Sequence, residues 1–139
     1  MGTMKAFLDT NVIVDFMAER EPFFLDAATI FDMHRNGKIE LSASSLTLVN
    51  CAYIIQKAYS KDIMLSKIAW LCDNMDITSV DKADILNAIK SGKCDFEDRV
   101  QYFSSLRSRP NIILTRDKKG FADLGIMVMT PAEFVAASR

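Results

Sequence analysis

Ala6-Phe7-Leu8-Asp9-Thr10-Asn11-Val12-Ile13-Val14 places a polar triplet between two apolar runs. The first run predicts a strand buried on both faces, and the second opens at once into a helix. Thr10 and Asn11 make the turn between them. In an open parallel α/β sheet, ligands bind in the crevice beyond the carboxyl ends of the strands, and Asp9 is placed there. Asp, Thr and Asn are also good helix N-caps, so Asp9 has a purely structural reading as well.

Working outward, Val12 to Glu19 predicts a short helix broken at Arg20-Glu21-Pro22. Pro22 suits the first turn of a second helix over about Phe23 to Asn36. Lys38 to Ser42 follows as a strand. Ser44 or Ser45 caps a helix from about Leu46 to Tyr59, apolar nearly all round and so expected to lie buried against the sheet. Ile63 to Asn74 makes an amphipathic helix through Leu65, Ile68, Ala69 and Cys72. Asp76 to Val80 is a strand, and Asp81 to Asp84 has capping-box spacing for a helix ending near Ser91-Gly92. Asp95 to Leu106 is the next helix, Ile112 to Thr115 and Ile126 to Met129 are strands, and Thr130-Pro131-Ala132-Glu133 starts the last helix. Strands alternating with helices imply an α/β fold, a three-layer α/β/α sandwich around a parallel sheet.

The length of 139 residues suits a single domain over 1–139, with Met1-Gly2-Thr3 ahead of Met4 set aside as a leader or appended residues. Seventeen basic against 18 acidic residues leave a net charge of -1, which offers no global attraction for nucleic acid. Cys51, Cys72 and Cys94 are far apart, with His34 as the one histidine, which argues against a zinc site or a disulfide framework. His34 is placed near a helix C-terminus, where a protonated ring is favourable and needs no function. No apolar segment approaches membrane-spanning length, and the expected location is the cytoplasm.

The informative pattern is the position of the carboxylates. Asp9 follows the first strand, Asp117 follows the strand ending Leu114-Thr115, and Asp95 and Asp98 open a helix. Strand ends and helix starts share one edge of a parallel sheet, so these four acids are expected to converge there. Crowded like charges raise one another's pKa unless a cation intervenes. An all-oxygen set suits Mg²⁺ or Mn²⁺, ions that polarise a phosphoryl oxygen and supply hydroxide in phosphodiester hydrolysis. Each acid also has a structural alternative: Asp95 and Asp98 as cap and N3 residues, Asp117 as a turn residue.

In these segments the chain resembles the PIN domain family of metal-dependent ribonucleases. The resemblance runs from Met4 to about Glu133 and rests on Phe7-Leu8-Asp9-Thr10-Asn11-Val12, Asp95-Phe96-Glu97-Asp98, and Leu114-Thr115-Arg116-Asp117-Lys118-Lys119-Gly120-Phe121. It implies that Asp9, Asp98 and Asp117 are the catalytic, metal-holding acids, with Asp95 an additional ligand. It also implies that Thr10, Asn11 and Thr115 order them by hydrogen bonds. The family's second acid, a glutamate in an early helix, is replaced by Asn50, an amide that brings no charge. The implied activity is Mg²⁺- or Mn²⁺-dependent cleavage of single-stranded or looped RNA, leaving a 5′-phosphate and a 3′-hydroxyl. Arg99 and Arg116 are the candidate RNA-binding residues, while Lys118 and Lys119 suit a solvated face.

The resemblance further implies the toxin half of a toxin–antitoxin pair, with an antitoxin partner and a homodimer. Two alternatives stand beside it. Asn50 leaves room for a degenerate PIN module that binds RNA or protein without cutting. A phosphoacceptor receiver fits less well, because Asp9 lacks a paired acid and Val128 to Pro131 offers no lysine.

Overall fold

The computed structural model describes residues 3–92 and 95–139. Met1 and Gly2 of the set-aside leader, and Lys93 and Cys94, lie outside the described residues. The described strands are β1 (Met4–Leu8), β2 (Ile39–Ser44), β3 (Asp76–Thr78), β4 (Ile112–Leu114) and β5 (Met127–Met129). The helices are α1 (Thr10–Met17), α2 (Phe24–Arg35), α3 (Ser45–Ile55), α4 (Lys61–Asn74), α5 (Lys82–Ser91), α6 (Phe96–Ser105) and α7 (Pro131–Ala137). Short 3₁₀ turns cover Leu106–Ser108 and Lys118–Phe121.

All strands pair in parallel, in the order β3-β2-β1-β4-β5. The chain therefore builds outward from β1 through β2 to β3, and then restarts on the other side of β1 with β4 and β5. That reversal makes the β1–β4 boundary, where Leu8 pairs with Leu114, the topological switch point of the sheet.

β1 lies between its neighbours with helices on both faces, which is why Ala6, Phe7 and Leu8 are all fully buried. Ala6 and Leu8 join the larger core with α1, α2, α3, α4 and α7, whereas Phe7 packs with Ile113 and Phe121 on the opposite face. The second face is thinner and partly polar. Ser42 Oγ meets Ser108 Oγ at 3.0 Å and Thr78 Oγ1 meets Ser104 Oγ at 2.7 Å, so short hydroxyl side chains bring α6 and the 3₁₀ turn after it close to the sheet. The three expected layers are present.

Several local expectations shift. Pro22 precedes α2 in a turn and is not part of its first turn, since the helix begins only at Phe24. α3 is not buried all round: Thr47, Leu48, Cys51 and Ile55 face inward, while Val49 is 68% and Tyr53 61% exposed. On α4 the inward residues are Met64 and Leu71, with Ile68 packed beside them. Leu65 is half exposed and Cys72 exposed, so the buried stripe lies one position from the expected one. Periodicity alone could not separate these neighbouring stripes, because both are apolar. His34 bridges the Leu41 N–H and the Asn74 carbonyl, tying α2 to β2 and α4. The capping boxes at Asp81/Asp84 and Thr130/Glu133 are both formed.

Candidate active site

Asp9 occupies the switch point. It is only 5% exposed, and its backbone N–H still donates to the Leu114 carbonyl at 3.0 Å, as a last rung of the β1–β4 pairing. Each of its carboxylate oxygens accepts two hydrogen bonds. Oδ1 receives the Thr10 N–H at 2.7 Å and the Gln101 side-chain amide at 3.0 Å. Oδ2 receives the Thr115 hydroxyl at 2.8 Å and the Asn11 amide at 3.3 Å. Thr10, Asn11 and Thr115 thus each hydrogen-bond the Asp9 carboxylate. Asp9 is also the N-cap of α1, as its structural reading has it.

Gln101 is the contributor that sequence reasoning missed. It is fully buried, and its carbonyl oxygen accepts from the Thr47 hydroxyl at 2.8 Å, while Thr47 is itself held by Ser44. A relay therefore runs from the end of β2 through α3 and α6 to Asp9. The available signal was spacing: Gln101 is three residues beyond Asp98, on the same helical face.

Asp98 lies on the first turn of α6, and its backbone N–H is capped by the Asp95 carboxylate at 3.2 Å. Burial, followed by the charges of Asp9, Asp95, Glu97 and Asp117, pushes the Asp98 carboxyl up to about 7. Its position depends on Gly120: a Cβ there would stand 1.7 Å from Asp98 Oδ2. Asp117 is exposed and caps the following 3₁₀ turn through the Lys119 N–H at 3.3 Å. The capping roles of Asp95 and Asp117 are therefore real.

Asp9, Asp95, Glu97, Asp98 and Asp117 line one open groove of about 250 Å³, together with Thr10, Asn11 and Arg20. Glu97 was not among the expected residues. Burial and the charges of Asp9 and Asp95 raise its pKa, while the neighbouring amides of Asn50 and Gln101 pull it back. The Asn50 amide thus neighbours Glu97.

The two candidate RNA-binding arginines are held within the fold in different ways. Arg99 is buried, with Nη2 donating to the Ala122 carbonyl at 3.1 Å and Nε unpartnered, so it braces α6 against a loop and is not presented to an outside phosphate. Its place beside Asp98, on the turn that packs inward, accounts for this. Arg116 donates from Nε and Nη2 to the buried Asp15 at 2.7 and 3.2 Å, and its guanidinium lies over the Phe23 ring at 3.9 Å. Arg20 shares Asp15, at 3.4 Å, and lines the groove directly. Lys118 pairs with Glu133 at 3.0 Å.

The donor chemistry fits a hard divalent ion, since the groove offers only oxygen ligands and holds uncompensated negative charge. Asp98 carries that imbalance as a carboxyl still half protonated near neutrality. Among the described residues, no three of these acids are drawn together tightly enough to form a finished metal-binding set. The four acids line one groove without meeting at a point. The Cys51 thiol beneath Thr10 is pushed up to about 12 by burial and the Asp9 charge, so it is inert as a nucleophile.

Residues 5–119 match the sequence profile of the PIN domain. This chain belongs to the PIN domain family. It is 31% identical over 140 residues to Ribonuclease VapC1 of Aquifex aeolicus, covering 96% of this chain and 95% of that protein. The fold is shared with VapC20 of Mycobacterium tuberculosis, described as a sarcin–ricin loop cleaving toxin. That likeness has a TM-score of 0.68 at 11% identity, over 88% of this chain and 96% of that one. The VapBC-1 structure from nontypeable Haemophilus influenzae superposes with a TM-score of 0.67 at 16% identity, over 93% and 99% of the two chains. These distant likenesses establish the PIN architecture. Among the described residues, no helix is long and apolar enough to cross a membrane.

Proposed function

We propose that this PIN domain is a metal-dependent endoribonuclease acting as the toxin of a toxin–antitoxin pair. The observation that carries the reading is the acidic groove at the switch point, found in a chain closely related over its length to a ribonuclease. PIN ribonucleases generally use a divalent metal, and the oxygen-only groove favours Mg²⁺ or Mn²⁺. Asp9, Asp98 and Asp117 would hold it, with Asp95 beside them. A bound ion supplies phosphoryl polarisation and an activated water.

The chain's own groups do the rest. Thr10, Asn11, Gln101 and Thr115 keep the Asp9 oxygens oriented, so that little reorganisation accompanies the reaction. Asp98, whose carboxyl is raised by burial and neighbouring acids, would hold the ion as the carboxylate. Arg20, on the rim of the groove, offers a charge to a phosphate of the strand. Glu97, beside Asn50, brings to the groove the negative charge that position 50 lacks. This favours an active nuclease over a degenerate binding module. RNA is the substrate, an antitoxin is the partner that covers the groove, and a second copy of the chain completes a homodimer.

The test is Mn²⁺ titration of the wild type and Asp9→Asn, followed by thermal unfolding and heat of binding. A specific site stabilises the fold by about 2.7 kcal/mol at roughly a hundredfold excess over the dissociation constant. Saturable binding that disappears in Asp9→Asn, together with Mn²⁺-dependent cleavage of single-stranded RNA, is expected. No binding up to several millimolar would refute the reading.

A further inference from the structure

Next to the acidic groove lies a second cavity of about 360 Å³, lined by Phe23, Asp26, Arg116, Thr130, Pro131 and Ala132. We propose that it is a nucleobase subsite selecting guanine at a position beside the cleaved bond; the inference rests on the ribonuclease reading above.

Three observations point to a base. First, the linings of the two depressions are tied together. The Arg116 N–H donates to Asn11 Oδ1 at 3.2 Å, and the Asn11 amide touches Asp9. Arg20 lines the acidic groove and Arg116 the second cavity, and both are held by Asp15. A strand with one phosphate at the groove passes Arg20 and reaches the second cavity with a neighbouring nucleotide.

Second, the lining is that of a stacking site. Phe23 and Pro131 give apolar surface, and the planar Arg116 guanidinium is locked over Phe23 by its two bonds to Asp15. Unpaired RNA bases are recognised by stacking on aromatic rings and guanidinium planes, with hydrogen bonds to their edges. Because Arg116 is already fixed, little side-chain entropy is lost when a base arrives.

Third, the polar group available for edge recognition is a carboxylate. Asp26, in the first turn of α2, is half-buried and has no hydrogen bond or ion pair among the described residues. A carboxylate is acceptor-only and takes two donors side by side. Guanine alone among the common bases presents two adjacent donors, N1–H and the N2 amino group, on its pairing edge. Uracil would set carbonyl oxygens against Asp26.

The probe is residue-resolved NMR titration of the metal-free protein with guanosine and uridine 5′-monophosphates, beside mapping of RNA ends cleaved in Mn²⁺. Guanosine monophosphate is expected to shift the amide signals of Phe23, Arg116 and Ala132 and to bind about tenfold tighter than the uridine nucleotide, the discrimination of one bidentate contact. Asp26→Asn, which keeps size and helix position, should abolish that preference in both binding and cleavage sites while cleavage continues. Phe23→Ala should weaken both nucleotides alike. Equal binding of the two nucleotides, shifts confined to the acidic groove, or an unchanged preference in Asp26→Asn would overturn the subsite. Failure of the ribonuclease reading looks different: no RNA is cut in Mn²⁺, whatever the nucleotides do at the cavity.

Discussion

The side-chain amide of Gln101 donates to Asp9 Oδ1 at 3.0 Å, with both groups buried, so the acid at the end of β1 is positioned from α6 as well as from its own turn. Gln101→Leu leaves Asp9 one donor short and the Thr47 hydroxyl without its acceptor. Leaving buried polar groups unpaired costs about 1–3 kcal/mol. Urea unfolding should show a loss of that size. Mn²⁺ affinity should fall about tenfold, as is usual when a supporting hydrogen bond to a ligand is removed. Wild-type affinity in the variant would show that the relay does not position Asp9.

Gly120 makes room for Asp98. In Gly120→Ala the new methyl group would overlap Asp98 Oδ2, so the carboxylate must turn away. Cleavage is expected to fall by about ten- to a hundredfold, the range seen when groups orienting a metal ligand are lost. Isothermal titration with Mn²⁺ should show weaker binding by the variant, and a crystal structure with Asp98 unmoved would contradict the argument.

Protonation of Asp98 gives a pH test with a definite sign. Its folded-state carboxyl is raised to about 7, above an unfolded value of about 4. The folded protein therefore holds this proton more tightly than the unfolded chain does. The associated stability is fully present below about pH 4 and is lost as pH rises through about 7. Melting curves in chelator should show the wild type losing ground to Asp98→Asn across that interval. Mn²⁺ binding should tighten with pH over the same range, because the ion displaces the proton. A wild type that gained on the variant over this window would reverse the sign and reject the assignment.

Glu97 should trade stability for function. Its raised pKa reflects burial and crowding by Asp9 and Asp95. Glu97→Gln removes one charge from the crowd, so the metal-free protein should melt at a higher temperature than wild type at pH 8. The same change should weaken Mn²⁺ binding and slow cleavage. If melting temperature and activity both rise or both fall, Glu97 is not a charge that the groove retains for the ion.

Much of this was legible in order along the chain. An apolar run broken by Asp9-Thr10-Asn11, the capping signals at Ser44, Asp81 and Thr130, and the acids at strand ends follow from local rules of backbone hydrogen bonding and side-chain period. From these came the strand–helix alternation, the layered α/β class, the PIN resemblance and the aspartates, though not Glu97, of the groove. The turn that ends β1 is local, so the sequence alone determined that Asp9 caps a helix at a strand end.

What only the tertiary structure decided depends on contacts between distant segments. Strand order is one case, since no local preference distinguishes the side of β1 on which β4 adds. Gln101 and Thr47 are another, because a buried amide and hydroxyl find their partners only when α3 and α6 meet at Asp9. Arg99 and Arg116 carry the same charge, yet one is buried as a brace and the other is bound to Asp15, 101 residues away in sequence. Charge is a property of the residue. Whether it meets solvent, an ion or a buried carboxylate is set by packing, because the desolvation that gives it meaning is imposed by the whole fold.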